Sequence, residues 1–600
     1  MAGPPETSSI ESSCVRPPAN DDRVPIGFIG RYRSLWVVIV PVAALLCGGI
    51  LRLWVAEDGF ITFRSVESFW RGYGPVYNEG IRVESFSHPL WFLTLCVLRV
   101  FGAANLAPLS AVVGVFCSIV GLALAARASW LRCETGLRLF PLGALAIACL
   151  SPFWDFASSG LETGMTFLWL GWCSYSLTRA QSARTRIIGT SFLIGLGPLI
   201  RPDFAVITIC LLSALLLTPK ASGAIRLKAL LVVILPGAVW QVFRMGYYAT
   251  MVPTTFLAKE SFNSVWWRGY IYIDDFARTY DPEWIFLLGA LALLGRSPRF
   301  ASKKTAAGDV ITKRGNDRVI AALCAGGALH ILSVWRVGGD FMHARLLLPG
   351  FFAMLSSFAI IPLPKAIVPR AIIMVGGLVW CGWTAVYART PYSLSPGPNG
   401  IVDERLWHVL RADDKRPVTV KGYGKHFFVR AAQDLRQKTE AEGYRAVFVP
   451  NIGVPASQVA GDVVVIDSLG LNDYIGARLR LGRYGRPGHE KNVPAAWFLA
   501  RYPAPQGYIS TMQASRVSAT LPSTEALSAA RRVLESPSLV ELRDAVTAPM
   551  TLGRFVGNIG RAWGLTFLRI ASDPEVAERE MRERVAPNIE TTRIPSQISE

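Results

Sequence analysis

The chain has 600 residues, of which 51% are hydrophobic, and its mean hydropathy is +0.34. Long apolar runs carry this excess, which excludes an ordinary soluble protein and indicates a polytopic membrane protein. The formal net charge of +19 would suggest nucleic acid in a soluble protein. Here many basic residues lie in short loops between apolar runs, where they set topology, so no nucleic-acid partner is expected. The ten cysteines include no CxxC pair, which argues against a disulfide framework or a zinc site.

The amino-terminal segment 1–30 is rich in Pro, Ser and Asn and is predicted to be disordered. Arg31 and Arg33 then precede an apolar run at 35–55, which indicates an uncleaved first span with a cytoplasmic N-terminus. The apolar run 89–102 has 14 residues, which is short for a span. We expect it to lie along the membrane surface or to re-enter.

The alternation of basic loops with acidic or mixed loops predicts about eleven transmembrane helices in a membrane domain covering 31–388. The spans are expected at 35–55, 107–126, 139–154, 164–178, 188–200, 203–219, 229–248, 283–295, 319–334, 346–363 and 370–388. This count places the C-terminus outside the cell membrane.

The hydropathy falls after Tyr387, and 389–585 is long enough for a soluble domain with its own core. Its β-branched runs at 418–420, 446–449 and 463–466 are typical of strands. Helices are predicted at 524–536 and 573–585. The sequence therefore predicts an α/β soluble domain, followed by a disordered tail at 586–600.

An acidic pair, Glu57 and Asp58, directly follows the first span. Ionisable side chains at a membrane boundary are costly, which makes each of them a candidate for function. Two adjacent carboxyl groups facing a water-filled cleft can supply a catalytic base for a sugar hydroxyl, because their repulsion raises at least one pKa. The alternative is an acidic anchor outside the first span, and spacing alone favours neither.

Other charged side chains occupy the predicted outer loops. The candidates are Arg64, Glu84 and His88 in the first loop, Glu162 in WDFASSGLETG, Lys259 in VPTTFLAKES, and Asp340, His343 and Arg345 in WRVGGDFMHAR. Converging Arg, His and Lys side chains are what a lipid-phosphate leaving group requires. Taken singly, each could instead be a solvated charge or a side chain snorkelling at a span end. No Walker loop or HExxH motif occurs, so no metal site is evident and no nucleotide-sugar donor is expected.

The order of span, acidic pair and long outer loop resembles the membrane-embedded GT-C glycosyltransferases. More closely, the strings AEDGFITFRSVESFWRGYGPVYNEGIRVESFSHPLW, ASSGLETG and VGGDFMHARLLLP are similar to segments of the mycobacterial terminal arabinofuranosyltransferases. VVVIDSLGLND and GRPGHEKNVP are similar to segments of their tail, so the resemblance covers most of 34–500. It departs at Glu57, where that family has aspartate, and Glu57 and Asp58 are therefore ranked together as the base.

The resemblance implies a GT-C type enzyme of the bacterial inner membrane, with a periplasmic tail domain that helps to hold a glycan acceptor. It would transfer D-arabinofuranose from decaprenyl-phosphoryl arabinose, a polyprenyl-phosphate donor, to a periplasmic or cell-envelope glycan. The donor phosphate would meet Lys259, His343 and Arg345, and the substrates would be bound by Arg64, Glu84, His88, Glu162 and Asp340. No cofactor is evident, although a divalent metal could neutralise the phosphate.

Three other functions stay open at this point. The same fold could use another lipid-linked sugar with a lipid or protein acceptor. A membrane transporter is a second alternative, but transporters bind at mid-membrane and often show repeats, whereas the polar clusters here lie at one face. A non-catalytic glycan-binding subunit is the third.

Overall fold

The computed structural model describes residues 35–100, 105–133, 137–180, 186–218, 221–294, 302–304, 310–510 and 522–585. The predicted disordered segments 1–30 and 586–600 lie outside these ranges, as do the basic residues Arg31 and Arg33.

The part of the chain before residue 390 is mainly helical. In chain order its helices are α1 Trp36–Leu51, α2 Gly59–Trp70, α3 Pro89–Arg99, α4 Leu106–Leu131, α5 Leu142–Cys149, α6 Ser151–Ala157, α7 Thr163–Ala180, α8 Ile187–Gly195, α9 Gly197–Ile200, α10 Ala205–Leu216, α11 Gly223–Tyr248, α12 Thr254–Ala258, α13 Trp266–Tyr280, α14 Pro282–Leu294, α15 Lys313–Val337, α16 Leu348–Ser357 and α17 Ile367–Val386. Two short antiparallel pairs accompany them, β1 Leu139–Phe140 with β4 Ile361–Pro362 and β2 Ser302–Lys304 with β3 Val310–Thr312.

Among the described residues, four helices have the length and apolar composition needed to cross a bilayer: α4, α11, Gly315–Val337 within α15, and α17. Six further apolar helices are 10–17 residues long. The side chains of Leu227, Leu231 and Leu235 form a stripe on α11 and are 56–59% exposed. Such a stripe is stable against lipid but not against water. The chain is a polytopic membrane protein.

The apolar run expected to lie at the membrane surface forms α3, which has 11 residues. At 1.5 Å per residue it is about 16 Å long, roughly half the thickness of the hydrocarbon layer. It packs on α2, where Trp70 Nε1 donates to the Cys96 carbonyl at 3.1 Å and Arg99 Nε donates to Glu67 Oε1 at 2.9 Å. Both helices thus pack together in the segment between α1 and α4, and its predicted position at the outer membrane surface stays a prediction.

Helices α4 and α7 pack backbone to backbone through glycines spaced seven residues apart. Gly114 and Gly121 lie on α4, and Gly164 and Gly171 lie on α7. A Cβ at Gly171 would collide with the Gly121 carbonyl, and one at Gly164 would collide with the Gly114 carbonyl. Small residues let membrane helices approach this closely, since lipid supplies no hydrophobic force between them. The pair positions the loop that carries Glu162.

The C-terminal region combines a small parallel sheet with helices. Its strands are β5 Ala446–Val449, β6 Val464–Asp467 and β7 Gly507–Ile509, paired in the order β6-β5-β7. Its helices are α18 Glu404–Val409, α19 Val420–Tyr423, α20 Phe427–Glu440, α21 Ala495–Arg501, α22 Thr524–Leu534, α23 Pro537–Thr547, α24 Leu552–Phe567 and α25 Pro574–Val585. Trp497 and Phe498 are buried in the cluster that includes Phe448 of β5.

The structure confirms the strands predicted at 446–449 and 463–466 and the helices predicted at 524–536 and 573–585, to within two residues. The strand predicted at 418–420 is wrong. Thr419 Oγ1 accepts from the Gly422 amide at 3.1 Å and so caps the short helix α19. A local side-chain cap here outweighs the β preference of the valines on either side.

Replacing Gly171 by Ala should lower the free energy of unfolding by about 1–3 kcal/mol, because the added methyl group meets the backbone of α4. Thermal unfolding in detergent measures this change. The matched control is Gly189→Ala on α8, where a Cβ would have no neighbour within 4 Å. That variant should be neutral or more stable by up to about 1 kcal/mol, since Ala favours the helix. Equal melting of the two variants would contradict the close packing of α4 and α7.

Candidate active site

A cleft lies between the loop that follows α1 and the carboxyl edge of the C-terminal sheet. Three predicted residues from the membrane part line it, namely Glu57, Asp58 and Lys259. The C-terminal region contributes charged side chains that the sequence analysis did not select, namely Glu404, Asp467, Arg486 and His489. Asp467 ends β6, and the loop after β5 faces the same cleft, because the carboxyl ends of parallel strands share one edge.

The carboxyl pair is held where the two parts of the chain meet. Glu57 is 6% exposed, and its Oε1 accepts a hydrogen bond from the Gly453 amide at 2.7 Å. Asp58 precedes α2 but caps none of its amides, and 30% of its side chain is exposed. Burial and the neighbouring Asp58 raise the pKa of Glu57 well above its usual range, and burial raises the pKa of Asp58. Two carboxyls coupled in this way titrate as a pair, because ionisation of one disfavours ionisation of the other.

Arg345 connects this pair to two other predicted carboxylates. Its Nη1 lies 3.7 Å from Asp58 Oδ2 and 3.8 Å from Asp340 Oδ2, and its Nη2 lies 3.5 Å from Glu162 Oε1. Burial alone would lower the pKa of Arg345, but the three carboxylates raise it above its ordinary value. The guanidinium therefore stays charged, and the carboxylates around it outnumber it by three to one.

Glu162 is the buried anchor of this network. Its side chain is 2% exposed, and its Oε1 accepts from Arg201 Nη1 at 2.8 Å. His88 Nδ1 lies 3.5 Å from the other oxygen, Oε2. Burial alone would raise the pKa of Glu162, but Arg345 and the neighbouring cationic groups hold it well below its usual range. Burial lowers the pKa of His88 to about 4, so this imidazole is neutral at pH 7. Glu162 is thus a fixed negative charge behind Arg345.

Two histidines in series hold Glu404 at the cleft. The Phe428 amide, at the start of α20, donates to His426 Nδ1 at 3.2 Å, so the proton of that ring lies on Nε2. His426 Nε2 faces His408 Nδ1 at 3.2 Å, and His408 Nε2 then donates to Glu404 Oε1 at 3.1 Å. Burial and the nearby His408 lower the pKa of His426 to about 3, which keeps the ring neutral. The negative charge of Glu404 contributes to the raised pKa values of Glu57 and Asp58.

The opposite side of the cleft is basic. Lys259 lines it beside Gly488, where an added Cβ would lie 3.2 Å from Lys259 Cε. Within the described part of the chain, no carboxylate pairs with Lys259 Nζ, although its charge acts on Asp58 across the cleft. Arg486 and His489 line the cleft on the same side. The cleft thus has an acidic wall, which carries Glu57, Asp58 and Glu404, and a basic wall, which carries Lys259 and Arg486.

His343 faces a separate polar network and does not line the cleft. Its Nδ1 lies 2.6 Å from Asp275 Oδ2, and its Nε2 lies 3.3 Å from the Tyr280 hydroxyl. The Tyr392 hydroxyl donates to the same Asp275 oxygen at 2.8 Å. Both ring nitrogens of His343 therefore have partners in the structure, and its predicted contact with a donor phosphate stays a prediction.

Two other candidates join parts of the fold instead of facing the cleft. Arg64 donates to the carbonyls of Tyr77, Ala456, Val459, Ala460 and Val463 at 2.9–3.3 Å. Glu84 accepts from Arg244 Nε at 2.5 Å and from Trp240 Nε1 at 3.0 Å. Substrate binding was predicted for both, but their polar atoms are engaged within the protein. Arg64 anchors the segment between α1 and α4 to the C-terminal region, and Glu84 anchors that segment to α11.

In the described ranges, no group of three His, Cys, Asp or Glu side chains is arranged to hold a metal ion. Asp467 also lines the cleft, but both of its carboxylate oxygens are engaged by backbone amides. Its oxygens accept from the Leu471 and Asn472 amides at 2.9 and 3.1 Å. Burial raises its pKa to about 6, against the lowering effect of these hydrogen bonds.

Comparisons with known proteins give a consistent result over most of the chain. Residues 423–580 match the family described as AftB family C-terminal domain. The terminal β-(1→2)-arabinofuranosyltransferase of Mycobacterium tuberculosis is 30% identical over 90% of this chain and 96% of that protein. The enzyme of the same name from Corynebacterium glutamicum is 29% identical over 93% of this chain and 90% of its own length. No solved structure matches the chain.

Replacing Glu162 by Gln should lower the free energy of unfolding by about 2 kcal/mol, because Arg201 and Arg345 each lose a buried anionic partner. Thermal unfolding in detergent at neutral pH measures this change in the free energy of unfolding. The control is Glu440→Gln, which removes an exposed pair with Arg436 and should change stability by less than about 1 kcal/mol. If both variants melt alike, Glu162 does not anchor the network.

Proposed function

We propose that this chain, which belongs to the family of terminal arabinofuranosyltransferases, transfers D-arabinofuranose from decaprenyl-phosphoryl arabinose to a glycan of the bacterial cell envelope. The observation that carries the proposal is the cleft, in which the acidic pair of Glu57 and Asp58 faces the basic Lys259. A glycosyl transfer from a lipid phosphate needs a base for the acceptor hydroxyl and a cation for the leaving phosphate.

We assign the base to Asp58 and a positioning role to Glu57. The carboxyl of Glu57 is fixed by the Gly453 amide, whereas that of Asp58 is partly exposed in the cleft. Asp58 removes the proton of the acceptor hydroxyl as its oxygen attacks the anomeric carbon. The bond from that carbon to the phosphate oxygen breaks, and decaprenyl phosphate leaves with the electron pair. The proton stays on the carboxyl pair until water accepts it.

Arg345 orients the acidic wall in this proposal. It contacts Asp58, Glu162 and Asp340, so it fixes the direction of the base and places Asp340 near the reacting sugar. Lys259 meets the donor phosphate, and Glu162 with His88 supports Arg345 from behind.

The membrane arrangement belongs to the same proposal. The apolar helices hold the decaprenyl chain, with about eleven spans, a cytoplasmic N-terminus and the cleft on the periplasmic side. The region from 389 to 585 is then a periplasmic domain, and the glycan acceptor binds along the carboxyl edge of its sheet. The loop after β5 and the end of β6 supply polar groups to this edge.

The direct test is transfer of labelled arabinofuranose from synthetic decaprenyl-phosphoryl arabinofuranose to a cell-envelope acceptor by purified protein. The wild type should transfer label, and Asp58→Asn should lose about 100- to 10,000-fold in kcat, the usual contribution of a positioned base. Glu57→Gln should lose less, and the exposed Glu440→Gln should keep the wild-type rate. Transfer from a different polyprenyl-phosphate sugar alone would remove arabinose from the proposal. No transfer from any lipid-linked donor would favour a transporter or a glycan-binding subunit.

The pH dependence of transfer tests the electrostatics of the acidic wall. Because burial and neighbouring charges raise the pKa values of Glu57 and Asp58, kcat/KM should fall on acidification at a higher pH than an ordinary carboxylate with a pKa near 4 would give. Glu404→Gln removes one of the negative charges that raise both pKa values. The acid limb of the pH profile of this variant should therefore shift to lower pH. The limb of Glu440→Gln should not move. If the acid limb of the pH profile does not shift in Glu404→Gln, then Glu404 does not act on the titration of Glu57 and Asp58.

A further inference from the structure

The helix α24 carries an apolar face that the rest of the described chain leaves uncovered. Its exposed apolar side chains, between 44% and 81% accessible, are Leu552, Val556, Trp563 and Phe567. With about 100° between successive residues, these four positions fall within about 60° of one another around the helix. Only two other large apolar side chains are exposed in the described part of the chain after residue 389. The exposed apolar surface of the C-terminal region is thus gathered on one helix, which is typical of a contact surface.

This helix is attached to the end of α11, one of the helices long and apolar enough to cross a bilayer. Leu235, Val239 and Val242 of α11 are 50–62% exposed and follow one another on one face of that helix. The next residue on the same face is Gly246, where the ring of Phe555 occupies the place that a Cβ would take. The apolar stripe of α11 therefore runs up to α24.

Two hydrogen bonds keep α24 at the level where α11 ends. Asn558 Nδ2 donates to the Gly246 carbonyl at 3.0 Å, and the Met251 amide donates to Thr566 Oγ1 at 2.8 Å. Asn558 and Thr566 are eight residues apart, which is about 12 Å along the helix axis. Their partners both lie within three residues of the end of α11 at Tyr248. Much of the length of α24 thus stays beside the end of this span.

Aromatic side chains form a band at the same level. The rings of Trp563 and Phe567 lie 4.8 Å apart, and Phe567 lies 5.3 Å from Phe262, measured between centroids. Four residues after Phe262, the partly exposed Trp266 packs at 5.9 Å against Trp335, near the end of the span in α15. Aromatic side chains of this kind collect where a bilayer meets water. The ends of two spans and the exposed face of α24 therefore share one boundary layer.

Lipid and a second copy of the chain are the two occupants that could cover this face. Beside it lie four glycines at which a Cβ would meet no neighbouring atom within 4 Å, namely Gly553, Gly557, Gly560 and Gly564. Small residues of this kind allow another helix to approach closely. A bilayer fits the surroundings better, because the face adjoins the apolar stripe of α11 and the aromatic band. The helix also contains two arginines and no acidic residue, which suits anionic headgroups.

We propose that α24 lies along the bilayer surface and that its partner is lipid. Leu552, Val556, Trp563 and Phe567 enter the boundary between headgroups and acyl chains, to a depth of about 5–10 Å for a helix of this type. The C-terminal region, which forms one side of the cleft, is then attached to the bilayer at α24 as well as through the last span, α17. Its predicted character as a soluble domain is corrected in this respect.

The test is photo-crosslinking of the purified full chain in bilayers of phosphatidylethanolamine and phosphatidylglycerol. The photoreactive residue p-benzoylphenylalanine replaces Trp563, and the masses of the irradiated products are measured. The matched control carries the same residue at Arg561, which is exposed on the other side of α24 and pairs with Glu541 at 3.2 Å. Position 563 should give several-fold more phospholipid adduct than position 561, because only the former reaches the acyl chains. If the variant at 563 melts below the wild type, Val556 is replaced instead.

Crosslinking of position 563 to a second copy of the chain, in place of lipid, would overturn the proposal and make α24 a dimer contact. Equal amounts of phospholipid adduct at 563 and 561, or none at either position, would also overturn it, since the apolar face would then have no preference for lipid. The measurement does not use the transfer reaction. A failure of the proposed function therefore leaves its outcome unaffected.

Discussion

The cleft depends on hydrogen bonds that join the segment between α1 and α4 to the C-terminal region. Arg64 donates to four carbonyls between Ala456 and Val463, and Asn78 exchanges two hydrogen bonds with the backbone of Val465 in β6 at 2.8 and 2.9 Å. The Tyr423 hydroxyl donates to the Val55 carbonyl at 2.5 Å. Asn78 and Tyr423 are buried, so the loss of a partner there would leave a polar atom without water or protein. This constraint makes the acidic pair and the strand ends one rigid wall.

The rigidity matters because the cleft keeps like charges close together. Glu57, Asp58 and Glu404 repel one another, and an unheld side chain would rotate away to relieve that repulsion. The Gly453 amide fixes Glu57, and the chain through His426 and His408 fixes Glu404. The protein therefore maintains an unfavourable charge distribution, which together with burial raises the pKa values of Glu57 and Asp58. In the proposed mechanism, the acidic wall serves the acceptor hydroxyl and the basic wall serves the donor phosphate.

Much of the membrane part could be predicted because apolar runs and adjacent carboxyls are local signals. Glu57, Asp58 and Lys259 were selected in this way, and all three line the cleft. Arg64 and Glu84 carry the same signal, a charge at the membrane boundary, yet they serve as anchors. A sequence gives the type of a charged side chain but not the carbonyl or guanidinium that it meets.

The missed residues have a different origin. Glu404 and Arg486 lie more than 300 positions after Asp58, and they line the same cleft only because the C-terminal region packs on the segment between α1 and α4. The strings VVVIDSLGLND and GRPGHEKNVP indicated the tail segments that contain Asp467, Arg486 and His489. They did not indicate which side chains turn toward the cleft. The orientation of this segment depends on tertiary contacts, such as the ion pairs of Glu490 and Lys491.

The difference between Glu57 and Asp58 fits this structure. Glu57 has one more methylene than Asp58, and its longer side chain reaches the Gly453 amide on the C-terminal loop at 2.7 Å. The backbone of Gly453 lies so close that no Cβ fits beside Glu57. A carboxylate committed to that amide is poorly placed to follow a substrate hydroxyl, whereas Asp58 is free of such a bond and stays partly exposed. In the mechanism that we propose, the pair thus divides into a link between the two parts of the chain, Glu57, and a base, Asp58.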